Sequence, residues 1–293
     1  MTAKLIRFKG LAPGIRHFVF EIPGAGALDF QPGQFASLTA QIGGREITRA
    51  YSLAAAPRGD NQFEICLNLV PDGVFSPYLF ALGVGDTVEL KGILGTFVWR
   101  EPAMDSILVA TGTGIVPYRA MLQVPQNRRI TLIYGTRNAQ NLLFLDEFRA
   151  LSGVHFIPTV TRPDPDWTGA TGRVQPLLLE ALGGRTDVQV YACGLREMVD
   201  SVRALCKERG MDRRQIITEK FDYAGTIESM EKRTSRWLTL GGGIAVLFVA
   251  TIAILLKIIP QPHRNLDYLV IGAVATFLSM ILLWIALMNA PKE

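Results

Sequence analysis

Residues 110–121 read ATGTGIVPYRAM and follow the apolar run SILV. Their types and spacing suit a phosphate. Gly112 and Gly114 permit a sharp turn and the close approach of a ligand. Pro117 is compatible with the first turn of a helix, where its missing N–H costs nothing. The free N–H groups of such a turn favour an anion. Pro117 stands where a third glycine would complete G-x-G-x-x-G, so the loop alone reads equally well as a tight connection. Three further clusters carry chemistry. Arg49-Ala50-Tyr51-Ser52 offers a guanidinium, a phenol and a hydroxyl, and in isolation reads as a solvated arginine beside packed aromatics. Gly73-Val74-Phe75-Ser76 opens a short helical stretch, where a serine is also an ordinary cap. Tyr191-Ala192-Cys193-Gly194 ends a strand-like run, where cysteine is commonly a small buried hydrophobe.

These residues need elements to hold them. In residues 1–100 the segments KLIRF, HFVFEI, QFASLTAQI, REITRAYSL, QFEICLNLV and DTVELKG alternate apolar and polar side chains between Pro- and Gly-rich turns. Six short strands at this spacing predict an antiparallel barrel, with one helix at 74–82. In residues 101–222 strand-like runs at 106–110, 129–135, 154–161, 187–194 and 215–221 alternate with helical stretches. That rhythm predicts a five-stranded parallel α/β sheet with helices on both faces. Ligands of such sheets bind beyond the carboxyl ends of the strands, where 111–117 falls.

Composition narrows the class. The chain has 293 residues and a net charge of +4, too modest to argue for nucleic acid. Its three cysteines, Cys66, Cys193 and Cys206, cannot supply the four thiolates of an iron–sulfur cluster. They show no disulfide or zinc spacing, and no metal site is expected. The opening MTAKLIRFKG lacks the apolar core of a secretory signal, which points to a reducing, cytoplasmic setting. Residues 237–259 are nearly uncharged and 268–288 wholly so, each long enough to cross a lipid bilayer. With PQPHRNLD between them they predict a linker over 223–235 and a transmembrane hairpin over 236–289 in the cell membrane. Lys232, Arg233, Arg236 and Lys292 flank the runs on one side, which places the folded domains on the cytoplasmic face. The competing reading is a pair of buried core helices.

In order and spacing, the four clusters resemble the ferredoxin–NADP(H) reductase superfamily, and within it the bacterial ferredoxin/flavodoxin–NADP reductases. The likeness covers about residues 3–222. It implies an FAD-binding barrel over 1–100 and an NADP-binding α/β domain over 101–222. On the barrel, Arg49 would pair with the FAD pyrophosphate, with Ala50 beside it. Tyr51 would lie along the flavin rings, and Ser52 would set a hydroxyl near the reacting nitrogen. Cys66, Leu67, Asn68 and Leu69 would line the flavin with backbone, and Gly73, Val74, Phe75 and Ser76 would cap the pyrophosphate. On the sheet, Thr111, Gly112, Thr113 and Gly114 would cradle the nicotinamide nucleotide. Cys193 and Gly194 would stand near the nicotinamide ring, with Met198 in the helix behind. Glu219 would assist proton movement and Phe221 would cover the flavin. The chain continues past Phe221, which keeps Tyr223 open as the covering aromatic. Arg137, Arg162 and Arg173 match positions that read the 2′-phosphate and favour NADP(H) over NAD(H). The implied catalytic set is Ser52, Cys193, Glu219 and Phe221. The implied activity is hydride transfer between NADPH and FAD, with single electrons passed to a ferredoxin or flavodoxin. Two alternatives stay open: a membrane acceptor, either quinone or a redox subunit, and a flavin-bearing relay subunit that binds no nicotinamide. Neither apolar run holds a histidine to ligate haem.

Overall fold

The apolar alternation of the first hundred residues becomes six strands: β1 (Thr2–Ala12), β2 (Ile15–Glu21), β3 (Phe35–Ile42), β4 (Arg45–Ser52), β5 (Gln62–Asn68) and β6 (Thr87–Leu94). The computed structural model describes residues 1–221, 248–258 and 265–288, with side chains in the last segment described for 268–280 alone. The chain divides into two units, Met1–Ala224 and Gly225–Glu293.

In the first unit the six strands form one sheet in the order β4-β3-β6-β1-β2-β5, antiparallel throughout. Strand period puts one set of side chains inside. In β6, Val88 and Leu90 are buried while Thr87, Glu89 and Lys91 are exposed. The interior holds Phe18, Phe20, Leu38, Phe63, Ile65 and Leu90. Each fully buried side chain of this kind contributes about 1.5–3 kcal/mol. The edges meet through a bridge between Leu53 and Ile65 and a bond from Ala54 N–H to the Glu64 carbonyl of 2.7 Å. This seam closes the barrel expected from the sequence. The helix α1 (Phe75–Ala81) follows β5.

The second sheet contains β7 (Ser106–Thr111), β8 (Ile130–Thr136), β9 (Val154–Val160), β10 (Ala170–Thr171), β11 (Gln189–Leu195) and β12 (Ile216–Phe221). All are parallel, in the order β10-β9-β8-β7-β11-β12. The expected five strands are therefore six. The addition, β10, pairs only Ala170 and Thr171 with Thr159 and Val160, too short to show a period. Helices α2 (Val116–Leu122), α3 (Leu145–Arg149), α4 (Val174–Leu182) and α5 (Arg196–Glu208) cover it. Strand β7 shows why both faces are covered. Leu108 and Ala110 pack in one core with Tyr118 and Phe148, while Ile107 and Val109 pack in another with Leu178 and Val199. The chain leaves β7 toward β8 on one side and reaches β11 on the other. The β7/β11 boundary is thus the switch point, where α/β sheets of this kind bind ligands.

In the second unit, residues 248–258 are helical, and a second helix runs Asn265–Met288. The linker, Tyr223, the turn and much of the first apolar run lie outside the described residues. Among the described residues no helix is long and apolar enough to cross a membrane. The expected hairpin is not shown among the described residues.

Candidate active site

Strand period sets the barrel side of the site. Arg49 and Tyr51 are two residues apart on β4 and point to the same face. The Tyr51 ring rests 6.0 Å from that of Phe75 on α1. Burial pushes its phenol up, against the opposing charge of Arg49, so it stays protonated at neutral pH. Arg49 donates to its neighbour Thr48 O at 2.9 Å and forms no ion pair with any described carboxylate. Ser76 is buried, and its Oγ accepts from Val70 N–H at 3.0 Å. Its hydroxyl thus fastens the 70–76 turn, and the helix cap position falls on Val74, which gives no side-chain bond.

These residues line a cavity of about 1210 Å³. Its wall brings together Arg49, Ala50, Tyr51, Ser52, Cys66, Leu67, Asn68, Gly73, Val74, Phe75 and Ser76 from the barrel with Thr113, Glu219 and Phe221 from the sheet. The two sides touch where Ser52 Oγ donates to Glu219 Oε1 at 3.3 Å. Burial pushes the Glu219 carboxyl up from 4.5 to about 7, with the Ser52 hydrogen bond pulling the other way. Such a carboxyl both holds and releases a proton near neutrality. Cys193 pairs in register with Glu219 on the neighbouring strand and is fully buried. Burial and then the nearby Glu219 charge raise its thiol well above the usual range, so it is no nucleophile.

The loop after β7 is a 3-10 turn, Gly112–Ile115, running into α2. Its glycines divide the work differently from the reading given by sequence. A Cβ on Gly114 would fall 2.2 Å from Cys193 O, and one on Gly194 (φ +134°) 2.5 Å from Thr111 Oγ1. Thr111 Oγ1 also accepts from Leu195 N–H at 3.3 Å. Gly114 and Gly194 therefore let two backbones meet at the switch point. Gly112 alone has both a left-handed φ of +55° and open space beyond it. That is the cradle a side chain would fill.

Several expected residues stand apart from the cavity. Leu69 gives its N–H to Gly14 O at 2.7 Å. Met198 is buried in the core beneath α5. Thr111, Gly112, Gly114, Cys193 and Gly194 do not line the cavity, although Thr113 does. Arg137, Arg162 and Arg173 are exposed at the carboxyl ends of β8, β9 and β10. Arg162 N–H bonds Arg137 O at 2.8 Å, which holds those two backbones side by side. None of the three forms an ion pair among the described residues. Sequence reading missed Phe35, Phe97, Arg100, Gln189, Arg213 and Arg214, which also line the cavity. Only the Arg213-Arg214 pair left a signal in the sequence, as adjacent cations before the last strand.

The donor set fits a dinucleotide such as FAD. It has an uncommitted guanidinium for phosphate, aromatic and aliphatic walls for a flat ring, and a hydroxyl–carboxyl pair at one end. Comparison with known proteins gives the same answer. Residues 2–99 match the oxidoreductase FAD-binding domain and residues 108–204 the oxidoreductase NAD-binding domain. The chain is 32% identical over 206 residues to the toluate 1,2-dioxygenase electron transfer component of Pseudomonas putida, covering 66% of this chain and 59% of that one. A solved ferredoxin NADP+ reductase from Neisseria gonorrhoeae, with bound FAD and NADP, superposes with a TM-score of 0.66 at 27% identity, covering 75% of this chain and 98% of that chain. Ferredoxin–NADP reductase B of Sorangium cellulosum is 33% identical over 237 residues, covering 75% of this chain and 97% of its own length. A barrel, a switch-point loop and a cleft of this kind, matched almost end to end by such a reductase, place the chain in the ferredoxin–NADP reductase-like family of FAD-dependent NAD(P)H oxidoreductases.

Proposed function

We propose that this protein takes reducing equivalents from NADPH and delivers them singly to a ferredoxin or flavodoxin, held at a membrane by its C-terminal segment. The observation that carries the reading is the Ser52–Glu219 contact across a cleft whose barrel wall also presents Arg49. FAD, when bound, supplies the conversion from a two-electron donor to one-electron delivery. The protein's own residues bind and orient. Arg49 offsets the pyrophosphate charge with a guanidinium fork, and Tyr51 and Phe75 give the ring a flat apolar wall. Glu219 holds a proton near neutrality and exchanges it through Ser52 Oγ. Cys193 packs behind them as a neutral thiol. Phe221 closes the wall from the sheet side; Tyr223, the other candidate, lies outside the described residues. Gly112 gives backbone access to the nucleotide. Arg137, Arg162 and Arg173 form an exposed basic rim for a 2′-phosphate, which favours NADPH over NADH.

The domains divide near residue 100 in this reading, and the tail is a lipid-facing hairpin with the catalytic part on the cytoplasmic side. Support comes from two long apolar runs in the sequence, one nearly and one wholly uncharged, and from exposed apolar side chains on the second helix, Leu269, Phe277 and Met280 among them. The same exposed side chains favour a second reading, delivery to a quinone or redox subunit within the membrane. Turnover of the detergent-solubilised protein with ferredoxin and flavodoxin, set against turnover with a quinone analogue, separates the two acceptors. Retention in the membrane fraction after an alkaline wash is expected; release into the supernatant would remove the anchor.

A further inference from the structure

Helix α2 begins where the nucleotide loop ends, and its one arginine points away from the cavity. Arg119 NH1 donates to Ala54 O at 2.7 Å and to Glu64 Oε2 at 3.1 Å. Its Nε donates to Glu147 Oε2 at 2.6 Å, and its guanidinium lies 4.5 Å over the Phe144 ring. The side chain is only 13% exposed. Ala54 and Glu64 belong to the seam that closes the barrel, two residues beyond Ser52 and two before Cys66. One guanidinium thus joins the helix that follows Thr111–Gly114 to the barrel seam beside β4 and β5.

Glu64 is built to receive it. The carboxylate is 4% exposed and is shared by His17 Nε2 at 3.0 Å, Arg58 at 2.7 Å and Arg119. Burial would raise its pKa, but the His17 hydrogen bond and the neighbouring His17, Arg58 and Arg119 side chains outweigh this and hold it at about 2. The same helix is tied again at its end, where Gln123 Oε1 accepts from Ala56 N–H at 2.8 Å. None of these groups lines the cavity.

We propose that Arg119 is a positioning residue, docking the nucleotide loop onto the barrel seam so that nicotinamide meets flavin at a set distance and angle. This rests on the flavin and nicotinamide reading above. Misplacement by about an ångström costs up to about 100-fold in rate. The test uses the full-length holoprotein and the variants Arg119→Met, Arg119→Lys and Glu147→Gln. Anaerobic bleaching by NADPH is timed, as is reoxidation of photoreduced protein by ferricyanide. Arg119→Met is expected to keep its flavin and its ferricyanide rate within about twofold, and to lose about 10- to 100-fold in bleaching by NADPH. Arg119→Lys should recover part of the loss. Without any nucleotide, amides in 111–122 of Arg119→Met should exchange hydrogen faster. Normal bleaching in Arg119→Met, or equal loss in both half-reactions, overturns the proposal. If Arg119→Met does not fold, Glu147→Gln decides, since it removes only the half-exposed partner. A bleaching rate lowered with flavin retained supports the dock, and an unchanged rate overturns it. Wild-type protein that NADPH fails to bleach would instead sink the underlying functional reading.

Discussion

Replacing Glu219 by Gln tests whether the carboxyl in the cleft is a proton carrier. Its pKa stands at about 7 in the fold against an ordinary 4.5. At about 1.4 kcal/mol for each tenfold change in acidity, ionising it in place costs on the order of 3 kcal/mol at most. The folded-state pKa lies above the unfolded one. The neutral carboxyl's contribution to stability is therefore complete below pH 4.5 and is lost as pH rises through 7. Glutamine keeps the shape and cannot ionise. Urea unfolding of the solubilised full-length protein, followed by tryptophan fluorescence from pH 5 to 8.5, should show the two proteins converging at the acid end. Toward pH 8 the variant should gain about 1–3 kcal/mol relative to the wild type. The wild type should also show a break near pH 7 in its rate with NADPH, and the variant should not. A stability gap that stays constant across this range would refute the reasoning.

Other substitutions probe separate parts of the site. Arg49→Ala removes charge-assisted hydrogen bonds worth about 1.5–3 kcal/mol, so flavin affinity measured by fluorescence titration should fall roughly 10- to 100-fold. Gly114→Ala places a Cβ 2.2 Å from Cys193 O. Because backbone cannot yield as a side chain can, it should cost about 1–3 kcal/mol in thermal unfolding. Arg162→Ala with Arg173→Ala should lower the NADPH-over-NADH ratio of kcat/KM by about tenfold or more; an unchanged ratio would remove them from cofactor selection.

Period and punctuation made most of the fold readable. The six barrel strands and the five long parallel strands each carry enough apolar residues, between Gly and Pro turns, to declare their type. The two-residue β10 does not. The stretch NLLFLDEFRALS at 141–152 reads by its apolar spacing as one helix, yet its α-helix is confined to Leu145–Arg149, because Leu142 and Leu143 are buried as irregular chain and Phe144 takes a left-handed φ of 55°. Contiguous clusters revealed much of the site, since Arg49–Ser52 and Gly73–Ser76 lie together in sequence. The partnership of Ser52 with Glu219 spans 167 positions and emerges only on folding. Gly114 shows the limit of reading a motif by composition: its missing side chain makes room for the Cys193 backbone, a neighbour the motif does not reveal. Arg119 lies within residues 110–121, yet nothing in its sequence neighbours indicates Glu64 as its partner.

The most direct test of the account is to purify the full-length protein in detergent and add NADPH without air. A yellow protein that bleaches with about one equivalent of NADPH per flavin is the expected result. A colourless preparation that cannot be loaded with FAD, or a yellow one that NADPH leaves unchanged, would contradict it.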